Sequence, residues 1–313
     1  MTISDSQLAR IVAHALPGTR LLGAEALGER TLRLDLHGGR RVVLRLGGPP
    51  DPGAGDPLTA EVAALSALRA ELDLSVPELL AHERTAADGE PYLLTSYLEG
   101  MTLVEAFPLM SEAQRYTVGR ELGALLARTH GYSAASYGPL DPAAPPEVAR
   151  EPHGQASDED VRYLRARLDA AIIAALNEGE LDGTGAARLG TWAEGNLAGT
   201  GRPACLTHGD LRPARILVRH RERGWSISGL TGWGFAQGWR PAWDHIAVME
   251  HCAGDAYFSL RVGYGNAYDT TTERRYDQLR AFALAPFRLI LYLEAGRADL
   301  ALALLRQPEG TAP

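Results

Sequence analysis

The residues best equipped for chemistry in this chain gather in two neighbouring runs, LTHGDLRPARILV at 206–218 and WSISGLTGWGFAQGWRPAWDHIA at 225–247. The first places an imidazole, His208, just before a carboxylate, Asp210, and a guanidinium, Arg215, further along the same loop. A carboxylate on a strand-to-loop turn can aim a hydroxyl, and a guanidinium presents a planar fork of donors suited to carboxylate or phosphate. Upstream, Arg45 lies in the strand-like run VVLRLGG and Glu61 in the helical run LTAEVAALSAL. Taken singly, each residue has a plainer role. Asp210 is then a turn residue, and His208 organises its loop through hydrogen bonds. Arg45 is a surface strand residue, and Glu61 is a first-turn carboxylate that stabilises its helix through the dipole. HGD by itself recurs by chance. Four tryptophans between 225 and 243 suggest either a stacking surface or, more commonly, a packed core. The histidines are scattered without metal-ligand spacing, so a zinc site has no support.

The elements around these residues are legible from pattern. Ser4 opens a helix with Leu8, Ile11, Val12 and Leu16, Gln7 completing a capping box and Pro17-Gly18 ending it. LLGAEAL, RTLRLDL and RRVVLRL read as strands, the last two joined through His37-Gly38-Gly39-Arg40. GGPPDPGAGDP (47–57) reads as a loop, and Leu58–Leu72 as a helix with Val62, Leu65 and Leu68 at helical spacing. PELLAHE and PYLLTSYLE are two further strands, separated by a turn at Ala87-Asp88-Gly89. Residues 1–97 therefore form a small lobe, a five-stranded sheet with helices. After Glu99-Gly100 the chain turns mostly helical. Ser111 and Gln114 make a second capping box ahead of Val118, Leu122, Leu125 and Leu126, and Ser157 caps a helix carrying Val161, Leu164, Leu168 and Ile172. Residues 183–198 read as helix, two strands lie between Cys205 and Thr231, and helices run from Trp243 to Leu305.

Composition narrows the class. The chain has 313 residues, 45% hydrophobic and 22% charged, the range of an ordinary soluble globular protein with room for two cores. No apolar stretch is long enough to span a membrane, and the N-terminus carries no secretory pattern. Two cysteines, Cys205 and Cys252, fit free thiols in a cytoplasmic protein. A net charge of −8 without a basic run argues against nucleic acid as a partner.

The two runs at 206–247 resemble the catalytic segment of the aminoglycoside phosphotransferase family, whose members read HGDLHPGNILV and then GVIDWGDAGLGDPAYDLA. Both stretches align without a gap. The resemblance implies an α+β, protein-kinase-like bilobal fold: a small antiparallel-sheet lobe over 1–97, of nucleotide-binding type, and a larger helical lobe over 98–313 with the catalytic-type loop. It makes Asp210 the catalytic base and puts His208 in the catalytic loop. Arg45 becomes the strand residue that meets the nucleotide phosphates, and Glu61 its ion-pair partner on the helix. YLLTSYLEGMTL (92–103) is similar to the hinge against which adenine would lie, and Asp244 matches an acid that props up the catalytic loop. The implied cofactor is ATP or GTP, and the implied partner a small-molecule ligand in the cleft.

Two positions break the pattern. Where the family has its magnesium-binding asparagine this chain has Arg215, and where it has the metal-binding aspartate this chain has Gly232. Arg240 likewise replaces an acid. Magnesium wants oxygen donors and guanidinium has no acceptor atom, so neither substitute supplies a metal ligand. Two functions follow: a catalytically impaired, pseudokinase-like member, or an active ATP- or GTP-dependent O-phosphotransferase on a small-molecule hydroxyl. Gly232 leaves room for a longer side chain, so Arg215 is expected to enter the emptied metal position and approach Asp210 or a bound anion, the plainer alternative being that it swings to solvent as most surface arginines do.

Overall fold

The first helix starts where its cap dictates. The Ser4 hydroxyl accepts from the Gln7 N–H at 3.3 Å and the Gln7 side chain accepts from the Ser4 N–H at 2.9 Å. The structure, a computed structural model, describes residues 3–47, 56–69, 76–84, 90–148, 158–197, 203–267 and 285–306. In chain order the N-terminal elements are α1 (Asp5–Ala15), β1 (Leu21–Gly28), β2 (Thr31–Leu36), β3 (Arg41–Leu46), α2 (Pro57–Leu68), β4 (Leu79–Glu83) and β5 (Tyr92–Ser96). Then come β6 (Met101–Thr102), α3 (Leu103–Ala106), α4 (Glu112–Thr129), β7 (Tyr132–Ser133), β8 (Gly138–Pro139), β9 (Glu147–Val148), α5 (Glu159–Asn177) and α6 (Gly183–Asn196). The chain continues with β10 (Cys205–Thr207), β11 (Ile216–Arg221), β12 (Gly224–Leu230), β13 (Gln237–Trp239), α7 (Ala242–His251), α8 (Phe258–Ala267), α9 (Ala285–Glu294) and α10 (Ala298–Leu304).

The five strands expected before residue 97 form one antiparallel sheet in the order β1-β2-β3-β5-β4. The β2–β3 turn runs through Gly38 and Gly39, as its sequence indicated. Strand alternation then sorts the side chains. Leu34, Leu36, Val42, Leu44, Tyr92 and Leu94 share one face and pack with Leu8 and Val12 of α1. Each such aliphatic burial is worth about 1.5–3 kcal/mol. The intervening residues point the other way. Leu93 packs with Leu58 and Val62 of α2, and Arg45 is in register with Leu93. One residue of offset from Leu44 thus delivers Arg45 to the face that α2 covers. The Ser111–Gln114 cap of α4 is present. The Ala87-Asp88-Gly89 turn, most of the 47–57 loop, the last residues of the 58–72 helix and the Ser157 cap lie outside the described residues.

By internal contact the chain divides into two compact units, Met1–Val118 with Pro139–Pro146 and His208–Ala236, and Gly119–Gly138 with Glu147–Thr207 and Gln237–Pro313. Sequence composition suggested a contiguous division at 97/98; the contact division is not contiguous. Residues 208–236 cluster with the N-terminal elements where the turn at 233–235 packs on α2, Gly234 lying against Arg45 and Pro57, and where β6 adds to the β11–β12 hairpin through Leu217↔Thr102 and Val218↔Met101. The larger C-terminal part is mostly helical and the N-terminal region is built on its antiparallel sheet, so the expected α+β class is the observed one.

In the second unit the core gathers α5 (Leu164, Leu168), α6 (Leu189), α7 (Trp243, Ile246) and α9 (Phe287, Ile290) around Trp239. Trp239 and Trp243 stack with centroids 4.6 Å apart. With Trp233 also fully buried in the first unit, most of the tryptophan cluster is core rather than a stacking surface. Among the described residues no helix is long and apolar enough to cross a membrane.

Both cysteines are free and buried. Burial pushes the Cys252 thiol up to about 12. Its thiolate fraction near pH 8 is therefore on the order of one in ten thousand. Iodoacetamide at that pH is expected to leave Cys252 unmodified in the folded protein and to alkylate it after denaturation; peptide mass mapping distinguishes the two.

Candidate functional site

β10 ends at Thr207, and the chain turns through His208 and Gly209 to present Asp210. His208 is buried, and both ring nitrogens are engaged. The Asp210 N–H donates to Nδ1 at 3.3 Å, which leaves Nε2 to donate to the Thr231 carbonyl at 3.0 Å. The ring also lies 4.6 Å from Trp233. His208 therefore ties the loop to the end of β12 and fixes its own tautomer. Gly209 has φ 85°, and a Cβ there would stand 1.8 Å from the Phe235 carbonyl oxygen. No other residue fits between His208 and Asp210 without moving the loop.

Asp210 is held by two arginines. Arg212 Nε lies 2.8 Å from Oδ1, and Arg212 Nη2 donates to Oδ2 at 2.9 Å. Arg215 Nε donates to Oδ2 at 3.1 Å, with Nη2 at 3.0 Å. The Arg212 contact was missed in the sequence, yet its signal was there. A residue before proline is biased to extended backbone, and side chains two apart on an extended chain share a side. Arg212, before Pro213, has φ −137° and ψ 163°.

Arg215 ends a single 3₁₀ turn, Pro213–Arg215, just ahead of the hairpin ladder that begins at Ile216↔Leu230. The Thr231 N–H donates to the Arg215 carbonyl at 3.0 Å, so Arg215 and Gly232 meet at the open end of the hairpin. Gly232 is left-handed, φ 82° and ψ 45°. A Cβ on it would lie 2.9 Å from Arg215 Cδ and Nε. The arginine thus covers the space where a side chain at 232 would start. A Cβ on Gly234 would in turn lie 2.9 Å from Arg45 Nη1. Two guanidiniums rest on the two glycines that flank buried Trp233, whose indole N–H donates to the Leu230 carbonyl at 3.1 Å.

Arg45 Nη1 donates to Glu61 Oε2, the pair expected across the sheet and α2. Glu61 is buried, and burial pushes its carboxyl above the usual range while Arg45 and Arg215 pull it back. The geometry therefore brings Asp210, His208 and Arg215 together on one loop and turn, and places the Arg45–Glu61 pair beside the same Trp-Gly turn. Asp244, in the other unit, is fully buried at the start of α7, with Oδ2 3.1 Å from His130 Nε2. The Arg240 guanidinium sits over the Phe287 ring at 5.2 Å.

A magnesium ion does not fit this arrangement. The position next to Asp210 is filled by a guanidinium, Gly232 offers no side-chain oxygen, and a cation there would face Arg215 directly. Among the described residues no group of three or more His, Cys, Asp or Glu could hold a metal.

The sequence profile of the phosphotransferase enzyme family matches residues 20–282. No curated protein matches the chain in sequence. Among solved structures it is similar to a thermostable mutant of aminoglycoside phosphotransferase APH(4)-Ia in ternary complex with AMP-PNP and hygromycin B. The identity there is 17% and the TM-score 0.60, over 97% of this chain and 99% of that one. It is also similar to the GDP and kanamycin complex of an APH(2")-type enzyme, with 16% identity and a TM-score of 0.60 over 95% and 94% of the two chains. A third is aminoglycoside-3'-phosphotransferase of type VIII, with 19% identity and a TM-score of 0.54 over 91% and 97%. At these identities the likeness is one of fold, the kinase-like fold of those enzymes.

Glu61 gives the site a pH signature. Its folded-state pKa is raised above the ordinary 4.5, so its contribution to stability is complete below that value and is lost as pH rises through the raised pKa. Glu61→Gln keeps the shape and cannot ionise. The stability of the wild type relative to this variant, from urea denaturation, should shrink from about pH 4 to about pH 7. A difference that grows over that range would mean that Arg45 and Arg215 outweigh burial.

Proposed function

The chain belongs to the phosphotransferase enzyme family, and from that premise we propose that it keeps a nucleotide-binding frame while conventional magnesium-dependent phosphoryl transfer is impaired. The observation that carries this is the Arg215 side chain lying over Gly232 and bonded to Asp210, where the metal ligands of the family would be. Phosphoryl transfer needs an acceptor hydroxyl aimed in line and a metal to neutralise the charge that develops on the transferring group. Metal assistance is worth several kcal/mol, and each ~1.4 kcal/mol is tenfold in rate, so losing both ligands costs on the order of a thousandfold or more. Asp210, as the base that would receive the hydroxyl proton, has both oxygens bonded to arginines, so an acceptor hydroxyl must share or compete for it with them.

ATP or GTP is the cofactor this frame suits, since Arg45, held by Glu61, offers donors of the kind that phosphates take. Structures of similar fold contain AMP-PNP or GDP with an aminoglycoside, which supports a nucleotide and a small-molecule ligand here. In this proposal residues 1–97 supply the nucleotide side and 98–313 the catalytic-type loop and the acceptor side, and two free thiols fit a cytoplasmic setting. A second function, an active O-phosphotransferase on a small-molecule hydroxyl, is favoured by the retention of Asp210 and of the Arg45–Glu61 pair. Arg215 would then supply the charge that magnesium supplies elsewhere.

Calorimetric titration with ATP separates the cases. Binding is expected to be weak and to change less than about tenfold on adding magnesium. A larger gain counts against the proposal. Arg215→Asn with Gly232→Asp restores both ligand types, and magnesium-dependent ATP turnover is expected to appear in the double variant. Gly232→Asp by itself is expected to lose about 1–2 kcal/mol or more, from a left-handed aspartate pressed against Arg215, as read by thermal unfolding.

A further inference from the structure

The charge at Asp210 also bears on what the site takes, given the family reading above that 206–218 is the working loop. Around this carboxylate and the adjoining pair stand three guanidiniums, Arg45, Arg212 and Arg215, against two carboxylates, Asp210 and Glu61. The excess is positive in a chain whose net charge is −8, so the cationic character is local and not a property of the whole surface. The hydrogen bonding points the same way. Arg212 and Arg215 each turn Nε and Nη2 to Asp210. The Nη1 corner of each makes no hydrogen bond among the described residues. Arg212 is 45% exposed and Arg215 32%, whereas Asp210 is 17% exposed. A ligand arriving here meets guanidinium first and carboxylate second.

A polycation would have to compete with two guanidiniums for Asp210 while being repelled by both. An anion can dock on the outward corners and leave the Asp210 bonds in place, or draw Arg212 away and release the carboxylate. We propose that the site takes a small anionic ligand, one that carries a phosphate or carboxylate beside its hydroxyls, gripped by Arg212 and Arg215, and that it discriminates against polycationic aminoglycosides. Arg212 acts as the specificity residue, since its head group is the more exposed of the two and its reach from an extended backbone is set by Pro213. A guanidinium fork matches either anion, so the chemistry is shared and the probes must tell the two apart.

The test is calorimetry on the full chain at fixed ionic strength, with inorganic phosphate, glucose 6-phosphate, glucuronate and kanamycin as separate titrants. Glucose 6-phosphate or glucuronate is expected to bind at least about tenfold more tightly than kanamycin, the better of the two naming the anion. Arg212→Gln and Arg215→Gln should each weaken that ligand about tenfold or more, and Arg212→Lys, which keeps charge without the fork, should weaken it less. Inorganic phosphate binding that responds to the same variants assigns the grip to the anion alone. The proposal is overturned if kanamycin binds more tightly, if none of the anionic probes binds, or if both glutamine variants, shown folded by circular dichroism, leave affinity unchanged. Should a variant not fold, the wild-type ranking of the titrants decides. A chain that binds ATP without regard to magnesium yet prefers kanamycin sinks this inference alone. One whose ATP affinity rises more than tenfold with magnesium sinks the impaired-transfer reading alone.

Discussion

A carboxylate that is 17% exposed must find donors for both oxygens, and Asp210 finds them in Arg212 and Arg215. Satisfying it sets the course of the whole loop. His208 must accept the Asp210 amide while donating to Thr231, and Gly209 must be left-handed and bare against Phe235. The 3₁₀ turn at Pro213–Arg215 must end in time to return Arg215 toward the carboxylate. The two arginines do not contribute alike. Arg212 is nearly half exposed, so its pairing lies near the ~0–1 kcal/mol of surface ion pairs. Arg215 is packed over Gly232, so its side chain is held by van der Waals contact as well as charge.

The Gly232-Trp233-Gly234 turn is the second half of that arrangement. Trp233 is buried and pinned through its indole to Leu230, which fixes the turn. Its flanking glycines then form a floor without side chains, on which Arg215 and Arg45 lie. Arg45 passes the charge on to buried Glu61, and Arg215 also acts on that carboxylate. These ionic groups are thus linked through Arg215, which bonds Asp210 beside Arg212 and acts on the Glu61 that Arg45 holds. A metal supplies concentrated charge with open coordination positions. A guanidinium supplies charge spread over a plane with fixed donor directions, and it cannot polarise a phosphoryl oxygen as a Lewis acid does.

What the sequence by itself determined is local. The Ser4–Gln7 and Ser111–Gln114 caps, the Gly38-Gly39 turn, the five strands and the run from His208 to Val218 are all visible, because capping, positive φ and period-two alternation act over a few residues. The family membership was equally legible, since it rests on residue types at fixed offsets. Even the delivery of Arg45 to the face opposite Leu44 follows from alternation alone.

The tertiary structure decided the rest. Whether Arg215 turned to solvent or onto Asp210 depended on the space above Gly232, which lies beyond a whole hairpin in sequence and is brought opposite only by the β11–β12 ladder. Whether Glu61 was a solvated helix residue or a buried ion-pair partner depended on α2 covering the Arg45 face of the sheet. The tryptophans chose core over surface once α5, α7 and α9 closed around Trp239. Each of these outcomes turns on desolvation and excluded volume between residues distant along the chain. Such effects have no period and leave no mark on the spacing of residue types, so only the folded chain could settle them.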